Sequence, residues 1–279
     1  MKKPFLQGQE FLDDVKAAAR QTDRLHIWWL GQSGFLVLWE QTYLLVDPYL
    51  SDSLTEKYAA TDKPHVRMTE RVVAPGDLAF VDIVTSSHNH TDHLDAKTIQ
   101  PLLAANPSLQ VIVGAANRHF AAERLQVATD RLTPITSRSA VEIGPFTFYS
   151  VPSAHETLET DEEGNHRFIG LIIEAGPWTL YHAGDTVLYP GMAQYLAKWQ
   201  VDVALLPING RSPERWVPGN LSAQEAVQLG KAIDAGLVVP CHYDMFEFNT
   251  VSPDEFETAA RAAKLPYRIL QNGERLSLP

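Results

Sequence analysis

The sequence predicts an α+β protein whose sheets are covered by helices on their outer faces. Three observations carry this. Consecutive strand-like runs occupy residues 25 to 46. The chain then alternates between apolar runs of strand length and stretches of helical period. Its metal-ligating residue types follow directly on the ends of apolar runs. A run of strands followed by strand–helix alternation is the pattern of sheets packed under helices.

The elements follow in order. Glu10 to Arg20 reads as a short helix with Phe11, Leu12, Val15 and Ala18 on one side. Residues 25–30 read as a strand, and 35–39 with 42–46 as a hairpin around Glu40-Gln41. Residues 50–78 are polar and loop-like. A strand at 81–86, a helix at 96–105 containing Pro101, a strand at 110–113 and a helix at 118–126 come next. Residues 141–151 hold one or two strands broken at Gly144-Pro145. A hairpin turns at Gly176-Pro177 between 168–174 and 178–183, and 201–206 is a strand. Ser222-Ala223-Gln224-Glu225 is a capping box opening a helix to Ile233, and 236–240 is a strand. Ser252-Pro253-Asp254-Glu255 predicts a second box, and Asn272-Gly273 a hairpin between 267–270 and 275–278.

With 45% apolar residues over 279 positions, the chain has material for a sizeable core. Its net charge of −11 repels polyanions, so a long nucleic acid is disfavoured and a small-molecule substrate is the expected partner. The single cysteine, Cys241, excludes an internal disulfide and fits a reducing compartment. Two lysines near the start have no apolar run behind them, and nothing approaches the roughly 18 apolar residues of a membrane span. A cytoplasmic location is therefore expected. The sequence leaves homo-oligomerisation open.

His88-Asn89-His90-Thr91-Asp92-His93 sets three imidazoles and a carboxylate within six residues, after the apolar run 81–84. Imidazole and carboxylate are the usual ligands of zinc, manganese and iron(II). A strand cannot point all four one way, but a tight turn at a strand end can. The spacing suggests two neighbouring metals, one held by His88 and His90, the other by Asp92 and His93. His155, Asp185 and His242 also follow apolar runs, where a rigid scaffold can position them. Each alone would read as a packed or surface residue; beside the cluster they read as further ligands.

These marks resemble the metallo-β-lactamase superfamily: His88-x-His90-x-Asp92-His93, then His155, Asp185 in His182-Ala183-Gly184-Asp185-Thr186, then His242. Three phrases, residues 28–35, 46–51 and 240–244, resemble the branch containing L-ascorbate-6-phosphate lactonase, with N-acyl-phosphatidylethanolamine phospholipase D more distant. The resemblance implies a four-layer αβ/βα sandwich as a single domain over residues 1–279. It also implies one metal on His88, His90 and His155, a second on Asp92, His93 and His242, and Asp185 bridging both. Some β-lactamases use a cysteine at the second site, but that site is already filled here, so Cys241 is expected to be a small packed residue.

The expected activity is that of a dinuclear hydrolase with manganese or zinc, iron being compatible with the same donors. A bridging hydroxide would attack a small polar ester or lactone, such as a phosphorylated sugar lactone. Asp185 and Asp92 carry the catalytic expectation, Asp92 also orienting the nucleophile or taking its proton. A phosphodiesterase acting on a nucleotide or lipid is the alternative, and a metal-binding protein without turnover a third reading. Asp47 either accepts a hydrogen bond from a ligand imidazole or is a turn aspartate before Pro48. Asn209, Arg211 and Tyr243 are the substrate-contact candidates, with Asn220 weaker. Arg211 is expected on the metal rim, gripping a phosphate or carboxylate. In the charged loop 156–167, His166 and Arg167 are further candidates. Trp28 and Trp29 read as core.

Overall fold

A computed structural model describes residues 1–212 and 219–279. The first part of the chain runs α1 (Gln9–Ala18), β1 (Leu25–Gly31), β2 (Gly34–Trp39), β3 (Thr42–Val46), α2 (Ser53–Tyr58), β4 (Ile83–Ser86), α3 (Ala96–Ala105), β5 (Gln110–Gly114), α4 (Arg118–Leu125) and β6 (Leu132–Ile135). The second runs β7 (Val141–Ile143), β8 (Phe146–Pro152), β9 (Ile169–Ala175), β10 (Trp178–His182), α5 (Met192–Leu196), β11 (Val203–Pro207), α6 (Ala223–Ala232), β12 (Leu237–Cys241), α7 (Asp254–Ala263) and β13 (Arg275–Leu278).

Among the described residues the strands form two mixed sheets, ordered β13-β1-β2-β3-β4-β5-β6 and β12-β11-β10-β9-β8-β7. Strands β1, β2 and β4 of the first sheet are buried on both faces, which is why they read as apolar runs. Alternation sorts the sheet's side chains. Ile27, Trp29, Phe35, Val37, Leu44, Val46, Ile83 and Ile112 enter the core shared with the second sheet. Trp28, Leu30, Leu36, Leu38, Leu45, Val84 and Val111 enter a separate core that takes in Phe11 and Val15 of α1 and Ile99 and Leu102 of α3. On the far side, Ala226, Val227 and Leu229 of α6 and Phe256 and Ala260 of α7 cover the second sheet. The result is the predicted four-layer sandwich, helices outside and two sheets facing inside.

Several local expectations change. The 50–78 segment contains α2 and a single 3-10 turn at Pro75–Asp77. The short β6 carries Pro134, which hid it in the sequence; it is an edge strand, where a missing N–H is tolerated. The five-residue α5 was likewise not predicted. Residues 267–270 form no hairpin with 275–278. The Gly273 N–H is instead bonded to the Trp29 carbonyl at 2.6 Å, and β13 pairs with β1. The box expected at 252–255 does not form: Pro253 takes the N-cap position without a side-chain cap, and Ser252 Oγ accepts instead from the Asp254 amide, whereas Ser222 and Glu225 form both bonds.

The strand directions place the chemistry. β1, β3 and β4 run the same way in one sheet, as do β8, β10 and β12 in the other. Their C-terminal ends deliver Gln32, Asp47, the 88–93 run, His155, Asp185 and His242 to one edge of the sandwich. No helix among the described residues is long and apolar enough to cross a membrane.

Candidate metal centre

Two groups of ligand atoms assemble at that edge. His88, His90, His155 and Asp185 offer atoms all within 4.8 Å of one another, and Asp92, His93 and His242 form a second such group. Asp185 lies between them. Its Oδ1 is 3.3 Å from His93 Nε2 and 3.5 Å from His242 Nε2, while its Oδ2 is 3.8 Å from His155 Nε2. Asp92 Oδ2 stands 3.7 Å from His93 Nε2 and 3.6 Å from His242 Nε2.

Strained backbone holds these ends in place. Gln32, Asp47 and His242 have φ of +51°, +42° and +65°, in the left-handed region that costs a non-glycine residue roughly 1–3 kcal/mol. Gly184 turns the chain between His182 and Asp185 at φ +59°, and a Cβ there would meet the Ile169 carbonyl at 2.6 Å. Only glycine lets β10 end this close to β9 and still present Asp185.

One small network fixes two imidazoles. Asp47 Oδ2 lies 2.6 Å from His93 Nδ1, and Asp47 also accepts from the Ser87 amide and hydroxyl. Because the Ser87 hydroxyl donates to Asp47, its oxygen is left to accept from His88 Nδ1 at 3.0 Å. In their neutral forms both histidines then carry the proton on Nδ1 and present Nε2 as a lone pair. His88 Nε2, His93 Nε2 and Asp185 Oδ1 are buried and lack a hydrogen-bond partner among the described residues. A buried acceptor without a donor costs free energy. Divalent cations would satisfy all three, so the donor set fits metal binding.

The titration of the groups points the same way. Burial, then neighbouring His93, holds His88 well below the ordinary imidazole value, and burial also lowers His90. Burial opposes charge on His93, but Asp185 and Asp92 outweigh it and raise that imidazole well above its usual value. Burial would lower His242 too, yet Asp185 and Asp92 raise it to about 9. Against their own burial, Asp185 and Asp92 are held far below the carboxylate range by His93 and His242. These two carboxylates require positive charge beside them, supplied by protons or by metal ions.

Above the centre lies a cleft of about 360 Å³, lined by Gln32, His90, Asp92, Arg124, His155, Asp185, Asn220 and His242, with Lys57, Tyr58, Lys63, His65, Phe246, Phe248 and Asn249 among the residues of its wall. Three expectations for this cleft are corrected. Arg211 does not line it. Its guanidinium forms a two-pronged pair with Glu225, at 3.0 and 2.7 Å, bracing the start of α6. Tyr243 is buried against Trp29, ring centroids 4.5 Å apart, and donates to the Leu270 carbonyl. Asn209 is buried and donates to Asn249 Oδ1 at 2.9 Å, so Asn249 rather than Asn209 reaches the wall. Neither His166 nor Arg167 lines the cleft; Arg167 instead borders a separate surface pocket with Arg118 and Glu163. Cys241 is fully buried in the central core, where burial raises its thiol pKa, and it belongs to neither ligand group.

The sequence reading missed Gln32, whose Nε2 donates to Asp92 Oδ2 at 2.9 Å and sits 3.2 Å from His242 Nε2. It also missed Ser87 and the wall from residues 54–65. Gln32 follows the end of β1 as the other site residues follow theirs, a positional signal that was available.

The model of the β-lactamase superfamily domain matches residues 42–243, a span reaching from β3 past His242. The chain belongs to the β-lactamase superfamily. Within it, the chain is similar to a UPF0173 metal-dependent hydrolase of Opitutus terrae, 28% identical over 268 residues, covering 91% of this chain and 100% of that one. It is 26% identical over 255 residues to a protein of the same description from Caldivirga maquilingensis, covering 90% and 97%. Superfamily folds of matching shape include the metallo-β-lactamase fold protein YhfI of Bacillus subtilis, with TM-score 0.67, 17% identity and coverage of 91% and 99%. An isothiocyanate hydrolase from Delia radicum gut bacteria gives TM-score 0.72 at 18% identity, covering 90% and 98%.

Proposed function

We propose that residues 1–279 form one metal-dependent hydrolase domain that cleaves a small polar ester or lactone, such as a phosphorylated sugar lactone. One observation carries this: the Asp185 carboxylate faces both ligand groups, one oxygen toward His93 and His242, the other toward His155. That arrangement suits two cations sharing a carboxylate. His88, His90 and His155 would hold one, Asp92, His93 and His242 the other. Nitrogen and oxygen donors fit zinc, manganese or iron.

Divalent ions bound there supply a Lewis acid and lower the pKa of a coordinated water from ~15.7 toward ~7. The chain's own residues do the rest. Asp47 and Ser87 hold His93 and His88 in the tautomers that present Nε2. Gln32 fixes the Asp92 carboxylate by its 2.9 Å bond, leaving the other Asp92 oxygen to orient a nucleophile or accept its proton. A cleft of about 360 Å³ suits a small molecule. The similar chains called metal-dependent hydrolases support the reaction class. A cytoplasmic setting agrees with the lone, buried Cys241.

The test is elemental analysis of purified protein, followed by a screen of lactones, phosphodiesters and thioesters with manganese, zinc or iron. Two metals per chain with lactone or ester turnover is the expected result. Turnover of phosphodiesters alone would replace the lactonase reading by the phosphodiesterase one. No metal bound under replete conditions would overturn both.

A further inference from the structure

The cleft's fixed charges and its wall have no part in the metal chemistry, and they restrict what can enter. Among the described residues, the carboxylates lining the cleft are Asp92 and Asp185, both assigned above to the metals. The other charged side chains of the lining, among the described residues, are Lys57, Lys63 and Arg124, in a protein of net charge −11. Lys57 lies with its ammonium 5.0 Å from the Tyr58 ring centroid, and Arg124 donates to the Asn89 and Leu94 carbonyls of the ligand loop. Neither makes an ion pair among the described residues. A cation-lined mouth on an acidic protein concentrates anions locally.

The wall beside these cations is aromatic. His65 stacks on Tyr58, centroids 4.2 Å apart and planes 18° from parallel, and its other ring contacts are Phe248 at 4.4 Å and Phe246 at 5.1 Å. Tyr49, Leu54, Met245 and Phe246 form the buried floor of this group, a third apolar cluster separate from both sheet cores. Tyr58 and Phe248 are only partly buried on it, and both line the cleft. Flat rings prefer offset-stacked or edge contacts with other flat rings, which such a wall offers.

We infer that the cleft selects an ester or lactone that joins a flat ring to an anionic group remote from the reacting bond, the ring lying on the Tyr58–His65–Phe248 wall and the anion meeting Lys57 and Arg124. The inference rests on the hydrolase reading and narrows its substrate class, putting an aromatic anionic ester or lactone in place of the sugar lactone. Carboxylate, phosphate and sulfonate all answer the same cations, so the shared feature is the negative charge. The reaction that supplies such a substrate is an esterification or lactonisation of an aryl acid, and the product is the ring-opened or free anionic acid.

Three lactones separate the features: dihydrocoumarin (flat, neutral), a carboxylated dihydrocoumarin (flat, anionic) and 6-phosphogluconolactone (anionic, not flat). The metal-replete protein is expected to show a kcat/KM at least about tenfold higher for the carboxylated ring than for the neutral one. That ratio should shrink in Lys57→Gln and at raised salt. Phe248→Ala should lower kcat/KM for both flat lactones more than for phosphogluconolactone. Equal turnover of charged and neutral rings, or equal loss on all three in Phe248→Ala, overturns the inference and leaves the hydrolase reading standing. Binding of the ring-opened acids, followed by calorimetry, is read in parallel. If no lactone turns over but the flat anionic acid binds at least tenfold tighter than its neutral and non-aromatic counterparts, the selectivity stands and the hydrolase reading falls. Thermal melts of both variants check that each is folded.

Discussion

The Asp47 carboxylate stands 2.6 Å from His93 Nδ1, both side chains wholly buried. Ser87 completes the contact, giving its hydroxyl proton to Asp47 and accepting from His88. A single serine therefore connects one histidine of each ligand group.

That connection separates two variants. Asp47→Ala should weaken metal binding at the His93 group by about 10–100-fold, the usual cost of removing a partner behind a ligand imidazole. Ser87→Ala should weaken both groups, because it releases His88 as well as one Asp47 contact. Competition against a metallochromic chelator reads the two affinities. Loss at only one group in Ser87→Ala would refute the shared role.

Replacing the ligands themselves should divide the metals. His88→Ala should remove one ion preferentially and His242→Ala the other, since their atoms lie in different groups. Asp185→Asn keeps the shape and loses the charge facing both groups. Metal loss and a fall of at least ~100-fold in kcat are expected, because the proposed hydrolysis depends on the metals. Elemental analysis showing two ions and near-normal turnover in Asp185→Asn would make the shared-carboxylate geometry wrong.

What the sequence disclosed depended on distance along the chain. Strands buried on both faces read as plain apolar runs, so sheets under helices were legible, and the local 88–93 run carried the family resemblance that implied the four layers. The Asn272-Gly273 turn misled because its neighbour in space is the Trp29 carbonyl, more than 240 residues away. Arg211 misled for a related reason: it does leave β11 near the edge, but Glu225 captures it there. Ser87, next to His88 in sequence, gave no signal because serine is common beside turns and its role lies in a bond to Asp47, 40 residues back. The Tyr58–His65–Phe248 wall joins segments with no strand pattern at all.

The metal-free centre should take up metal in a strongly pH-dependent way. His242 is raised to about 9 and His93 well above its ordinary value, so both are protonated at pH 7 without metal. A cation entering the Asp92–His93–His242 group must displace those protons, so affinity should rise with pH up to about 9 and fall toward pH 6. The same pairing stabilises the metal-free fold. A raised histidine pKa contributes fully below the unfolded value near 6.5 and is lost as the pH climbs through the folded value, about 9 for His242. Calorimetry at pH 7.5 in buffers of different ionisation enthalpy should show net proton release on metal binding, and the metal-free protein should melt earlier at pH 10 than at pH 7. Metal binding without proton release would contradict the protonated state of these histidines.

Arg211 now predicts a stability effect in place of a substrate one. Its guanidinium bridges to Glu225, the residue that closes the α6 capping box with Ser222. The Arg211 side chain is 51% exposed, so solvent screens the pair and its worth falls in the 0.2–1 kcal/mol range of exposed ion pairs. Glu225 also accepts from the Ser222 amide at 2.9 Å, so losing it costs the cap as well, about 1 kcal/mol more. Arg211→Ala should therefore lower stability by less than Glu225→Ala. The double variant should fall short of the sum by the energy of the pair, about 0.5 kcal/mol. Denaturant melts of the four proteins in the cycle measure this. On a verified substrate, KM should be unchanged in Arg211→Ala. A KM that rises severalfold with stability intact would return Arg211 to the substrate and displace the bracing role assigned to it here.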